Sequence, residues 1–294
     1  MNNKQRLQSY CANRGFTLVE LMLAMALGIF LIAGVSTVYI SSKQTYKVRD
    51  QTSELDENAR VALRALKHHI EHAGYASTTG MLVPNYVIPG GTVIASSNCA
   101  DGTPNIVNTA VINTTVDRDA SAGGDTIGVI YMADRQLNAD CSGTTMVPTR
   151  EQCLPPASAN RTASFVYNSF SVGSTRTNSM GDDVPALRCG GSLNNNLQPW
   201  AEGIENIQFQ YGIDNNGDGA VDNYWSADAV DAGGVWENII TVRVGLLVRS
   251  IDPVFEQAVA ESYQVLDQVI GTTDRYRRNV YTTTIRLKNV ARRI

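Results

Sequence analysis

Apolar residues run almost unbroken from Phe16 to Ile40. At about 25 residues, the stretch has the length of a membrane-spanning helix. One carboxylate, Glu20, stands near its start. A lone charge at the centre of a bilayer costs about 2.5–3.5 kcal/mol on insertion scales, so its placement needs a reason. Further along, the pattern becomes one-sided. Leu55, Ala59, Ala62, Leu66, Ile70 and Ala73 recur at steps of three and four, which predicts an amphipathic helix with a single apolar stripe. No proline falls between Phe16 and Ala73, and Gly74 is placed to end the helix in a left-handed conformation. One helix of roughly 87 Å would result at 1.5 Å per residue, with Gly28 and Gly34 as points where it can loosen. The second half of such a helix requires a globular partner to cover its stripe.

After Ala76 the composition shifts to Ser, Thr, Asn and Gly, with short β-branched runs between them. Four stretches then alternate with period two. In DTIGVIYM, Ile127, Val129 and Tyr131 share a face, as do Ile207, Phe209, Tyr211 and Ile213 in NIQFQYGI. In IITVRVGLLVR, Ile240, Val242, Val244, Leu246 and Val248 oppose Thr241, Arg243 and Arg249. In YTTTIRLKN, Tyr281, Thr283, Ile285 and Leu287 oppose Arg286 and Lys288. Strands with one polar face predict antiparallel sheet packed on one side only. The stretch from Arg135 to Trp200 reads as loop-rich insertions stapled by disulfides. The expected class is α+β, a long N-terminal helix packed on a mostly antiparallel β domain. The predicted division is a basic leader at 1–15, a helix at 16–74 with 16–40 in the membrane, and a β domain at 75–294.

Charge sets the orientation. Lys4, Arg6 and Arg14 precede the apolar run, so the positive-inside rule keeps the N-terminus cytoplasmic and exports everything after Ile40. The run exceeds the 7–15-residue apolar core of a secretory signal, and no small-residue cleavage site follows it. The exported part holds Cys99, Cys141, Cys153 and Cys189, with Cys11 left in the leader. An even count in an oxidising compartment predicts two disulfides. Three pairings fit the sequence, and Cys141–Cys153 closes the shortest loop. The formal charge of −4 becomes more acidic once the leader is set aside, which argues against nucleic-acid binding in bulk. Arg275, Arg277, Arg278, Arg286, Lys288, Arg292 and Arg293 run without an acid among them and read as a solvated strand face. The alternative is a surface- or DNA-binding module.

Candidate chemistry is sparse. All three histidines, His68, His69 and His72, lie on the predicted helix, so His-dependent nucleophilic or metal catalysis has no basis within the β domain. HHIEH is not the HExxH metalloprotease pattern, and it reads as a solvated or domain-facing helix surface. The segment IDNNGDGAVDNYW matches the first nine positions of a calcium loop. Asp214, Asn216, Asp218 and Asp222 supply short oxygen ligands, Gly219 the sharp turn, and Ala220 a backbone carbonyl. Position 12, where a bidentate Glu should stand, is Trp225. A hairpin loop built on Asx turns is the competing reading.

Arg-Gly-Phe-Thr-Leu-Val-Glu, after a short basic leader and before an apolar helix, closely resembles the type IV prepilin motif. The resemblance implies that a prepilin peptidase cuts between Gly15 and Phe16 and methylates the new amino group of Phe16. It also implies that Glu20 meets the N-terminal amine of a neighbouring subunit in a bundle of helices. ARVALRALKHHIEHAGY, FQYGID followed by an Asp/Gly-rich loop, and TTIRLKN are similar to blocks of PilW-type minor pilins, and the chain length also points to a minor subunit. Such a subunit is expected to be non-enzymatic. It would pass from the inner membrane to the pilus, prime pilus assembly with other minor pilins and the major pilin, and sit near the tip beside a large adhesin. J-type minor pseudopilins of type II secretion and competence pseudopilins share the motif and the architecture.

Overall fold

The computed structural model describes residues 15–76, 83, 86–90, 94–97, 104–107, 114–119, 122–146, 165–192 and 197–290. The leader up to Arg14, Cys99, Cys153, Arg292 and Arg293 lie outside them. The chain forms two compact units, Met1–Arg49 and Asp50–Ile294. Helix α1 spans Leu18–Glu71 without a break. The strands that follow are β1 (Ile94–Ser97), β2 (Pro104–Val107), β3 (Gly123–Gly124), β4 (Ile127–Met132), β5 (Phe165–Thr177), β6 (Asp183–Gly190) and β7 (Gln198–Glu202). Next come β8 (Ile204–Ile213), β9 (Asn223–Trp225) and a short helix α2 (Ala227–Gly233). The chain continues with β10 (Ile239–Arg249), β11 (Val259–Val265), β12 (Gln268–Asp274) and β13 (Arg278–Arg286).

In the first unit, every residue from Phe16 to Ile40 except Gly28 is exposed. In the second, the predicted stripe is the buried face of the helix. Leu55, Ala59, Ala62, Leu66, Ile70 and Ala73 are all at most 1% exposed, and they join Phe170, Phe209, Val242 and Val244 in one core. Small residues at Ala59 and Ala62 let the helix backbone approach the sheet. Polar contacts fix its register along that surface. The Gln51 side chain accepts from Asp252 N–H at 3.2 Å, Tyr281 O–H donates to Asp56, and Lys288 Nζ lies 3.0 Å from Glu71. Gly74 takes φ +78° and donates its N–H to the Ile130 carbonyl, so the chain turns from the helix into contact with β4.

One sheet runs β13-β10-β8-β3, with β9 also paired to β8, a second runs β4-β5-β6-β7, and β1–β2 and β11–β12 form two-stranded sheets. The named strands pair antiparallel, apart from two residues of β3 parallel to β8, and the isolated bridge between Pro89 and Thr115 is also parallel. The expectation of a sheet packed on one side fails at its centre. On β10, Gly245, Leu247 and Arg249 are buried as well as Val242, Val244, Leu246 and Val248. The β11–β12 hairpin covers that second face, and a Cβ at Gly245 would stand 2.9 Å from Val265 and Leu266. Ile240 is half-buried because the β10–β8 register shifts between Ile239 and Thr241; a bulge of this kind interrupts the alternation. All six residues of β4 are buried.

The shortest-loop disulfide is also corrected. Cys141 pairs with Cys189, 48 residues away, with a Cα–Cα separation of 6.1 Å. Local hydrogen bonding explains the choice. The Asp140 carboxylate accepts N–H groups from Ser142, Thr144 and Ser192, and the Asn168 side chain accepts the Cys141 N–H. The Asp140 turn is thereby pinned beside the end of β6, where Cys189 sits. Proximity in sequence was the wrong guide.

Candidate functional site

The N-terminal segment is built around the start of α1. Thr17 precedes the helix and Glu20 lies in its first turn. The Glu20 carboxylate accepts the Thr17 backbone N–H and the Thr17 hydroxyl, both at 2.9 Å, while Thr17 Oγ1 accepts the Glu20 N–H at 3.2 Å. This is a reciprocal capping box, in which the side chains satisfy backbone donors that a helix start leaves unpaired. The carboxylate also lies at the positive end of the helix dipole. Glu20 therefore has a local partner within its own chain, in a segment whose other side chains are mostly apolar and exposed. Gly15 has nothing within 4 Å of the position a Cβ would take, and Phe16 is 89% exposed. The residues expected to be processed are accessible. Thr17 is the capping partner of Glu20 that the sequence reading did not single out, although the spacing Thr-x-x-Glu was its signal.

The Asp/Gly-rich segment forms the connection between β8 and β9. The Asp214 carboxylate accepts N–H groups from Gly217 at 2.7 Å and Gly219 at 2.8 Å. The Asn216 amide lies 3.2 Å from the Asp218 carboxylate and 3.5 Å from that of Asp222. Asx-type bonds from Asn215 to Asp222 and from Ala220 to Asp218 complete the loop. Asn216 turns its amide nitrogen, not its oxygen, toward the two carboxylates, and among the described residues Asp214, Asp218 and Asp222 are not drawn together as a metal-holding group. The bonds are those of the competing Asx-turn hairpin. Trp225, at position 12, is instead held in β9 opposite Tyr211, and Arg286 donates to the Gly219 carbonyl.

The basic run near the C-terminus does not form one solvated face. The Arg278 side chain is 2% exposed and ion-paired to both Glu205 and Asp274, with contacts from 2.5 to 3.0 Å. Arg286 and Lys288 extend from exposed positions toward the Gly219 carbonyl and Glu71. Each of these cations has a partner within the domain. The histidines separate as well. His69 is buried, edge-on to Trp200 at 5.9 Å and near Phe170 at 5.7 Å. Burial drives its imidazole down to about 3, and the neighbouring His68 and His72 add to the shift. His68 is exposed and His72 half-buried.

Comparison with known proteins agrees with both ends of the chain. Residues 11–36 match the prokaryotic N-terminal methylation motif, and residues 169–289 match the family described as type IV pilus-assembly protein W. No curated protein matches the chain. Among solved structures, a type IV-like pilin from Thermus thermophilus aligns at 13% identity and a TM-score of 0.39, covering 81% of this chain and 98% of that one. With the methylation motif matched at its N-terminus and the pilus-assembly match running from within β5 to just past β13, the chain is most similar to type IV pilin-like proteins of the PilW minor-pilin type.

Proposed function

We propose that this protein is a non-enzymatic minor subunit that primes assembly of a type IV pilus and lies at or near its tip. Before assembly it is held in the inner membrane by residues 16–40, with the C-terminal domain periplasmic. A prepilin peptidase removes residues 1–15 and methylates Phe16. The observation that carries this reading is Glu20, the single charged side chain of an otherwise apolar and exposed helix start. In an apolar environment an unmet carboxylate is costly, and a neighbour's terminal amine would meet it. The other minor pilins and the major pilin are the partners, with a large tip adhesin beside them.

The capping box suggests how to test this. Glu20→Gln keeps an oxygen able to accept from Thr17 but removes the charge, whereas Glu20→Ala removes both. If the charge docks the subunit, both variants are cleaved normally and neither is incorporated into sheared pili. Normal incorporation of Glu20→Gln would overturn the docking role. Deleting the gene should abolish surface pili and twitching. Loss of exoprotein secretion with pili intact would place the protein in a secretion system instead.

We also propose that the Asp214–Asp222 loop holds calcium, on the strength of the spacing of Asp214, Asn216, Asp218 and Asp222 and of Gly219 with φ +83° at the turn. Binding would turn the Asn216 oxygen inward in place of its amide nitrogen. A ligand that binds only the folded state raises its stability by RT ln(1 + [L]/Kd). Calcium should raise the unfolding temperature and Asp218→Ala should remove the increase. An unchanged temperature in excess calcium rejects the site.

A further inference from the structure

The last turn of α1 carries a group of ligands that the pilin-like function does not use. His68, Glu71 and His72 fall at i, i+3 and i+4, so they share one face of the helix. One ligand atom from each lies within 4.8 Å of the other two. A zinc ion with bonds of about 2.0–2.1 Å needs tetrahedral ligands about 3.4 Å apart, a spacing that small side-chain rotations would reach. We propose that His68, Glu71 and His72 form a binding site for a divalent transition metal of the zinc type, with water completing the coordination.

Three features prepare the site. His72 donates its Nδ1–H to the His68 carbonyl at 2.5 Å, which fixes the tautomer and leaves Nε2 with its lone pair free. Ligating histidines are commonly oriented in this way by a bond from the other ring nitrogen. The two rings already lie 4.9 Å apart, centroid to centroid. The helix C-terminus favours a cation through its dipole. Imidazole nitrogens suit zinc, nickel and copper, whereas calcium prefers oxygen. This site is therefore chemically distinct from the Asp214–Asp222 loop.

One residue opposes binding. Lys288 Nζ lies 3.0 Å from the Glu71 carboxylate, so a metal must displace an ammonium to recruit that ligand. The competition provides a test that does not remove any ligand. Full-length protein in detergent, made without a histidine tag and stripped with chelator, is titrated with zinc by calorimetry and with cobalt(II) by visible absorption. One equivalent should bind. His68→Ala and His72→Ala should each weaken binding by at least about tenfold, Glu71→Gln should weaken it, and Lys288→Gln should tighten it. Far-UV circular dichroism checks that each variant is folded, and the Lys288→Gln result stands even if a histidine variant disturbs the helix. No uptake by the wild type, or uptake unchanged in the His68→Ala/His72→Ala double variant, overturns the site. Equal affinity in the wild type and Lys288→Gln overturns Glu71 as a ligand.

Discussion

From Leu18 to Ile40 the helix is almost wholly apolar and, Gly28 aside, exposed, whereas from Leu55 to Ala73 a single apolar stripe is covered. The two stretches belong to one unbroken helix, so intrinsic helix propensity does not separate them. What separates them is the solvent each sequence was written for. The first presents apolar surface in all directions, as a segment for lipid or a helix bundle must. The second alternates Leu66 and Ile70 with Arg64 and Lys67, so one side meets the β domain and the other meets water. The polar groups follow the same division. Glu20 is served by its own neighbour Thr17, while Gln51, Asp56 and Glu71 reach residues more than 200 positions away.

The contrast can be broken most sharply by removing side-chain volume from each stretch. Leu66 is 0% exposed and Leu27 is 59% exposed. Leu66→Ala should cost about 2–5 kcal/mol, by loss of transfer energy and creation of a cavity. Leu27→Ala should leave unfolding of the domain within about 0.5 kcal/mol of wild type. Urea unfolding of the full-length protein in detergent, followed by tryptophan fluorescence, measures both. Equal losses would mean that the stripe is not the core of the domain.

A second perturbation tests what clamps the covered stretch. Trp200 donates its indole N–H to the Cys141 carbonyl at 3.0 Å and lies edge-on to His69. The Cys141–Cys189 bond therefore anchors one wall of the pocket that receives the helix. Replacing both cysteines by serine should cost about 2–4 kcal/mol. Non-reducing peptide mapping should recover Cys141 linked to Cys189, and a Cys153→Ser variant should retain that link.

The helix and its stripe were legible because a period of three and four survives without knowledge of the partner. The strands at Ile207–Ile213 and Ile285–Leu287 were legible for the same reason, with period two. The second face of β10 was not, because Gly245 gives no pattern and its cover comes from Val265 and Leu266 on a separate hairpin. The disulfide was not legible because Cys141 is brought to Cys189 through Asp140 and Asn168, which no spacing reveals. Arg278 looked solvated beside other arginines until β8 and β12 supplied Glu205 and Asp274. At the N-terminus the methylation motif was readable because its residues are contiguous. The last-turn cluster needed Glu71, whose role depends on Lys288, distant in sequence.

The smallest effect expected concerns acid. His69 titrates near 6.5 in the unfolded chain and is pushed down to about 3 in the folded one by burial. Between those values the unfolded chain binds a proton that the folded chain refuses, so stability falls as pH falls from about 6.5 toward 3. One unit into that window, at about pH 5.5, the loss is at most about 1.4 kcal/mol. Asp125, whose carboxyl burial raises to about 7, contributes the opposite slope, because its neutral form is the one favoured by folding. His68 adds a slope of the same sign as His69. Both are common to the wild type and a His69→Leu variant, so the difference between the two proteins isolates His69. Urea midpoints measured from pH 7.5 to 5 should therefore fall more steeply for the wild type than for His69→Leu, and parallel curves would show that the imidazole is not kept neutral by the helix–sheet core. The corresponding replacement at Met25, 63% exposed on the first stretch, should alter neither the midpoint nor its pH dependence.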